Sequence, residues 1–375
     1  MKRTALLLFA VLSLADALHA QAPSESAFPR AKVDAAIEAG LKFLASKQDA
    51  AGYWTSGDYP GLTGLIIQSA LASPGGKHRG DEAVRKGLDF IRKSARPDGG
   101  IYAERLGNYN TSVCLATLLL ANDPKDAAII DGAHNYLVGA QTKDSANPAN
   151  DGGFGYESGG SGRQTRPDLD NTLFALEALA RYRDAHKSQE TPAKDLNWQA
   201  AIDFVARCQQ GAAPAKDAKA AESADDKGGF AYTPDGGSET RAAVEQSLRS
   251  YGSMTYAGVL SFIYADLKKD DPRVQSALDW ISRHYTLEEN PGQGAQGLYY
   301  YYNLMSKGLT AAGIDKLKVS SGADVDWRKN LAEKLLALQK PDGSWSSENG
   351  RWMEKDPNLV TAYCLLALDL VGAGN

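Results

Sequence analysis

The chain has 375 residues, 43% apolar, 23% charged and 9% aromatic, a composition that supports a large core and excludes collagen-like, disordered and disulfide-scaffold proteins. Its 41 basic and 46 acidic residues leave a net charge of −5, which offers no electrostatic footprint for nucleic acid or an anionic membrane surface. Glycine is in excess, 37 residues against a usual share of about 7%, and the excess marks recurrent turns.

Residues 1–20 read as a signal peptide. Lys2 and Arg3 precede an apolar stretch, 5–14, too short to span a membrane, and Ala15, Ala17, Ala20 and Ala22 offer small residues for cleavage near Ala20. No later run of 18 apolar residues occurs, so the mature protein is expected outside the cytoplasm, periplasmic or extracellular, without stable membrane insertion.

Six units then follow in chain order, each an amphipathic helix, a turn pairing glycine with an aromatic residue, and a more apolar helix. The turns are Gly52-Tyr53-Trp54, Gly99-Gly100-Ile101-Tyr102, Gly152-Gly153-Phe154-Gly155-Tyr156, Gly228-Gly229-Phe230-Ala231-Tyr232, Gly297-Leu298-Tyr299 and Gly343-Ser344-Trp345. Their aromatics recur every 46 to 76 residues, and the shorter intervals match helical-pair repeats. Ahead of the turns, apolar residues at i, i+3, i+4 and i+7 mark one-faced helices, as in Ala36, Ala39, Gly40, Phe43 and Leu44. Four of these segments end in glutamine: Gln48, Gln141, Gln209 and Gln339. The second helices are expected over 62–71, 111–120, 172–179, 255–265, 301–309 and 361–370. Being apolar nearly all round, they must be buried, so they form an inner ring and the first helices an outer one. The expected architecture is all-α, a single α/α toroid of six helical hairpins over residues 30–372. Neither end carries a polar capping repeat, which favours closure. Longer connections at 157–167, 211–227 and 233–249 are expected to cover one mouth of a central pocket. Cys114, Cys208 and Cys364 lie in apolar helical patterns and read as buried free thiols.

The stretch 331–345, with Leu335, Leu336, Gln339, Asp342, Gly343 and Trp345, resembles the glutamine-tryptophan repeat of squalene-hopene and oxidosqualene cyclases. Residues 41–54 repeat it with Phe43, Leu44, Gln48, Gly52 and Trp54. The turns at Gly152 to Tyr156 and Gly228 to Tyr232 look equally like repeats of protein prenyltransferase β subunits. In the cyclases a D-x-D-D-T motif opens an inner helix, and its middle aspartate protonates an alkene or epoxide. Here Asp168-Leu169-Asp170-Asn171-Thr172 stands at the start of the third inner helix. The resemblance implies Asp170 as the general acid and Asp168 as its electrostatic partner. It also implies a cavity lined by Asn171, Tyr251, Tyr256, Tyr301, Tyr302 and Tyr363, whose aromatic faces stabilise a moving cation. Asn171 departs from the motif and supplies no third carboxylate. Asn110-Thr111 opens the second inner helix in the same way. Asn171-Thr172 therefore also reads as the repeat's ordinary helix start, with Asp168 or Asp170 as an N-cap or first-turn acid.

The prenyltransferase zinc site has no counterpart. Ser112, Ala206 and Ala362 stand two residues before the cysteines, and the run Tyr299 to Tyr302 occupies the place of the zinc histidine. His78, His134, His186 and His284 lack metal-ligand spacing, and no phosphate or dinucleotide fingerprint occurs, so neither metal nor cofactor is expected.

The resemblance thus implies a secreted terpene-cyclase-like toroid that binds an apolar, isoprenoid-type small molecule in its central cavity and cyclises it by aspartate protonation. Two other readings stay open: a non-catalytic toroid binding a ligand or protein, and a polysaccharide-degrading toroid enzyme. The last would use Asp168, Asp170 and Glu157 as acids, with Arg163 and Arg166 binding a uronate. One toroid is half the usual cyclase framework, so either a protein partner completes the pocket or the pocket is the toroid's own.

Overall fold

The computed structural model describes residues 28–143, 146–157, 166–187, 195–211, 223–235 and 249–373. The signal-peptide segment, Arg163 and most of the three long connections lie outside the described residues.

Twelve α-helices alternate between two rings among the described residues. The outer set is α1 (Arg30–Lys47), α3 (Glu82–Lys93), α5 (Ala127–Ala140), α7 (Trp198–Cys208), α9 (Pro272–His284) and α11 (Trp327–Leu338). The inner set is α2 (Pro60–Ala72), α4 (Gly107–Ala121), α6 (Leu169–Ala185), α8 (Gly252–Tyr264), α10 (Leu298–Ala311) and α12 (Pro357–Ala373). The contrast in polarity has the expected cause. Every residue of α2 from Pro60 to Leu71 is buried, whereas α3 buries only Val84, Gly87, Leu88 and Ile91 on one face. Around the inner ring α2 packs on α4, α4 on α6, α6 on α8, α8 on α10, α10 on α12, and α12 back on α2. The ring is therefore closed, and α1 packs against both α11 and α12 at the seam. The fold is an α/α toroid of six helical hairpins.

The glutamine and glycine of the repeat have separate mechanical roles. Gln48 Nε2 donates to the carbonyls of Gly52, in its own turn, and of Ala83, at the start of the next outer helix. Gln141 does the same with Gly152 and Asn197, and Gln209 with Gly228 and Arg273. Gln339 bonds Gly343 and Ala36, so the last unit is stitched to the first across the seam. Gly152 adopts φ +92°, and a Cβ there would lie 1.9 Å from the Ala200 carbonyl oxygen; both facts demand glycine. After the turn, the next residue's N–H donates to a threonine hydroxyl one turn into the inner helix. The pairs are Trp54 with Thr63, Ile101 with Thr111, Phe154 with Thr172, Phe230 with Thr255, and Trp345 with Thr361. Thr172 is thus a repeat residue, bonded as its counterparts are.

The fifth unit differs from the expected turn. Tyr299 falls inside α10, and Gly297, at φ +63°, is that helix's N-cap. Between α10 and α11 a two-residue hairpin pairs Leu317 with Val325 and Lys318 with Asp324, the one sheet among the described residues. All three cysteines are buried and unbridged.

Candidate functional site

The inner helices run parallel to one another, because their first residues ring one cavity and their last residues ring another. The first cavity, about 270 Å³, is lined by Tyr59, Leu106, Asp170, Tyr251, Tyr300 and Leu359, one from the start of each inner helix, among others. The second, about 380 Å³, reaches Ala72, Leu120, Arg181, Tyr264, Ala311 and Ala373 at the opposite ends. Phe174 and Tyr300 line both and form the waist between them.

Asp168 and Asp170 are separated by their places in the first turn of α6. Asp168 is the N-cap. Its Oδ1 accepts from the Asn171 N–H at 2.8 Å and its Oδ2 from Asn171 Nδ2 at 2.7 Å, so both oxygens are consumed by helix initiation. Burial, and next the charge of Asp170, push its carboxyl up to about 7, against the bonds from Asn171. Asn171 is itself buried beneath the turn, outside the cavity lining, and its amide supplies the donors that a third carboxylate would lack.

Asp170 projects into the first cavity, where the Tyr300 hydroxyl donates to its Oδ1. Burial pushes this carboxyl up to about 6, and the Tyr300 bond, which favours the ionised form, acts against that rise. Around it stand aromatic faces. Phe174 meets Tyr109 edge-on at 5.1 Å and stacks on Tyr300 at 6.5 Å, and Tyr300 lies 5.4 Å from Tyr363. Tyr156 and Tyr232 share a hydroxyl contact of 3.3 Å. Trp352 and Met353 stand exposed at the rim, both in left-handed backbone conformations. A second carboxyl lines this cavity. Glu354 Oε1 accepts from the Tyr300 N–H at 2.9 Å, at the start of α10, and burial pushes its carboxyl up to about 7 against the backbone N–H groups of Tyr300, Tyr299 and Leu298.

Of the residues expected to line the cavity, Tyr251 and Tyr363 do so. Asn171, Tyr256, Tyr301 and Tyr302 line neither cavity. Tyr301 and Tyr302 turn outward, their hydroxyls donating to the Thr286 and Leu287 carbonyls just past α9, and Tyr256 packs on Tyr301 at 5.7 Å. The reason is helical rotation: each residue advances about 100°, so within a run of tyrosines few can face the channel. Tyr109, Tyr232 and Glu354 were missed by sequence reasoning. Of the groups weighed for uronate binding, Glu157 accepts from the Leu106 and Gly107 N–H groups and caps α4, while Arg166 pairs with Asp235. No group of three His, Cys, Asp or Glu side chains suited to a metal occurs among the described residues.

No protein-family model matches the sequence, and no curated protein matches it. Solved structures do. The apo type II terpene cyclase MstE from Scytonema is 13% identical at TM-score 0.54, covering 92% of this chain and 99% of that one. Candida albicans protein geranylgeranyltransferase-I, complexed with GGPP, is 16% identical at TM-score 0.54, covering 88% and 90%. A structure named as a novel alpha-amylase from Clostridium perfringens is 12% identical at TM-score 0.54, covering 90% and 97%. This chain shares the α/α-toroid fold of terpene cyclases and protein prenyltransferases. A MstE variant has also been solved with its substrate, geranylgeranyl dihydroxybenzoate, at 14% identity, TM-score 0.52 and coverage of 92% and 97%. These likenesses establish the toroid, and this chain covers between 90% and 99% of each matched chain. Activity has to be argued from the cavity.

Proposed function

We propose that the protein is an exported, terpene-cyclase-like toroid that binds an apolar, isoprenoid-type molecule in the first cavity and cyclises it by protonation from Asp170. The observation that carries the reading is the Asp170 carboxyl, raised by burial and set among the aromatic residues that line the first cavity. Protonation of a terminal alkene by Asp170 forms a C–H bond and leaves a tertiary cation. Attack by an internal alkene closes a ring and moves the charge along the chain. Loss of a proton then restores an alkene, so the product is an isomer of the substrate. The faces of Phe174, Tyr109, Tyr300 and Tyr363 suit the migrating charge. Glu354, the second carboxyl of the cavity, raised by burial, is suited to receive the departing proton. Asp168 acts through helix initiation, which fixes the direction of Asp170.

Two of the contacts named for the polysaccharide reading are otherwise engaged, Glu157 in helix capping and Arg166 with Asp235. The non-catalytic reading differs in a measurable way. Purified mature protein is incubated at pH 5 with squalene, geranylgeraniol and a geranylgeranyl aromatic, and products are followed by mass spectrometry. Cyclisation is expected with at least one of them and is abolished in Asp170→Asn. Binding without turnover supports the non-catalytic toroid, and release of sugars from starch or a uronate polymer supports the carbohydrate enzyme; either result overturns the proposal.

A further inference from the structure

The second cavity, at the opposite end of the inner ring, carries chemistry that the cyclisation proposed for the first does not use. Most of its wall is apolar, with Leu65, Val113, Leu304 and Leu370 among its lining residues. Into that wall are set three buried side chains whose oxygens meet no hydrogen-bond partner among the described residues. They are Asp369 on α12, through both Oδ1 and Oδ2, Asn303 Oδ1 on α10, and Ser112 Oγ on α4. Asp369 is 9% exposed, Asn303 3% and Ser112 1%. An unpaired buried acceptor is costly, and a largely apolar cavity that holds such groups has the make-up of a ligand site. The cavity's other charged groups form a cluster of their own, in which Glu177 pairs with both Lys307 and Arg181.

The sign of the missing partner follows from the acceptors. Asp369 is the acid among the three, and no basic side chain among the described residues pairs with it. The inner helices also end here, and helix C-termini favour positive charge. Tyr264, Phe174 and Tyr300 add aromatic faces for a cation. We infer that this cavity is a second binding site, for a small organic ammonium whose N–H donors meet the Asp369 carboxylate and whose hydrocarbon part lies along the leucine wall. Exposed Ala72, Ala311 and Ala373 at the rim leave the route from solvent lined by small side chains. Burial without a partner pushes the Asp369 carboxyl up to about 8, a penalty that a bound ammonium offsets.

Asp369 takes no part in the proposed cyclisation, and the test of its site needs no turnover. Mature protein is titrated calorimetrically with n-octylammonium, n-octanol and n-octanoate at pH 8. One octylammonium per chain is expected, bound at least tenfold more tightly than either comparator. Asp369→Asn is expected to weaken it at least tenfold, while Asp170→Asn, in the other cavity, retains it. Leu366→Trp, at a half-buried lining position, is expected to block it and serves if the Asp369 variant is poorly behaved. Equal affinity for octanoate, unchanged binding in Asp369→Asn, or no octylammonium binding at millimolar concentration overturns the inference.

Discussion

The Tyr300 hydroxyl donates a hydrogen bond to Oδ1 of Asp170, joining α10 to α6 across the central channel. Seven residues further along both helices, Lys307 Nζ meets Glu177 Oε2. Two rungs therefore tie the same two helices, about 10 Å apart along the axis. They are chemically opposite. The upper rung is a phenol on an acid raised toward neutrality; the lower is an ion pair that holds Glu177 down at about 2, the surrounding burial notwithstanding.

The upper rung predicts a titration. Tyr300→Phe removes the donor that favours ionised Asp170, so the carboxyl should titrate higher than about 6, by roughly one pH unit. Carbon-13 labelled aspartate followed by NMR from pH 4 to 9 reads the change directly. The pH below which any cyclisation occurs should rise with it. A titration that stays in place or moves down would show that the phenol does not tune the acid.

The lower rung predicts a stability loss. Glu177→Gln leaves Lys307, 17% exposed, without its anion, and Arg181 with half its partner. Breaking such a pair costs about 3 kcal/mol, read as a fall in the urea midpoint. The sign of the pH effect follows from the depressed pKa. Wild-type stability from this group is present above pH 4.5 and is lost as pH falls toward 2, so the two proteins should converge in acid.

Much of this was legible in the sequence, and the limits have a physical origin. The two rings followed from polarity, since helices such as α2 are apolar all round. Every inner helix nevertheless starts earlier than the apolar pattern suggests, α4 at Gly107 where apolar periodicity pointed to 111, because first-turn residues are chosen for capping and for the cavity. The channel stripe was also present: Asp170, Phe174, Glu177 and Arg181 on α6, and Tyr300, Asn303, Leu304 and Lys307 on α10, are spaced by three and four. Applied to the tyrosine run, that spacing selects Tyr300 over Tyr301 and Tyr302. Glu354 left no such signal, because it enters the cavity from a connection whose path depends on tertiary packing.

The repeat turns predict opposite outcomes for two glycines. Gly152→Ala forces a side chain onto φ +92° and against the Ala200 carbonyl, costing roughly 1–3 kcal/mol from the dihedral before the overlap is counted. Gly139, inside α5, has nothing within 4 Å of the place a Cβ would take, and Gly139→Ala should stabilise by up to about 1 kcal/mol. Thermal denaturation of the two variants beside wild type checks both signs at once. Equal effects would mean that the turn glycine is kept for some reason other than its geometry.

Asp369 predicts one component of the fold's pH dependence, at the second cavity. Its carboxyl is raised from an ordinary 3.8 to about 8 by burial, and the charged groups lining the same cavity, Glu177, Arg181 and Lys307, are paired with one another. A raised acid in the native state holds its proton while the unfolded chain releases it, so its contribution is fully present below pH 3.8 and declines as pH rises to about 8. Asp369→Asn removes that decline. The variant should match wild type near pH 4 and exceed it at pH 8 by a few kcal/mol, about 1.4 kcal/mol for each pH unit that separates the native titration midpoint from the unfolded one. Urea midpoints at the two pH values measure the difference. Saturating n-octylammonium should narrow the gap at pH 8 by stabilising wild type alone, which links the stability of this corner of the toroid to the ligand site inferred for it.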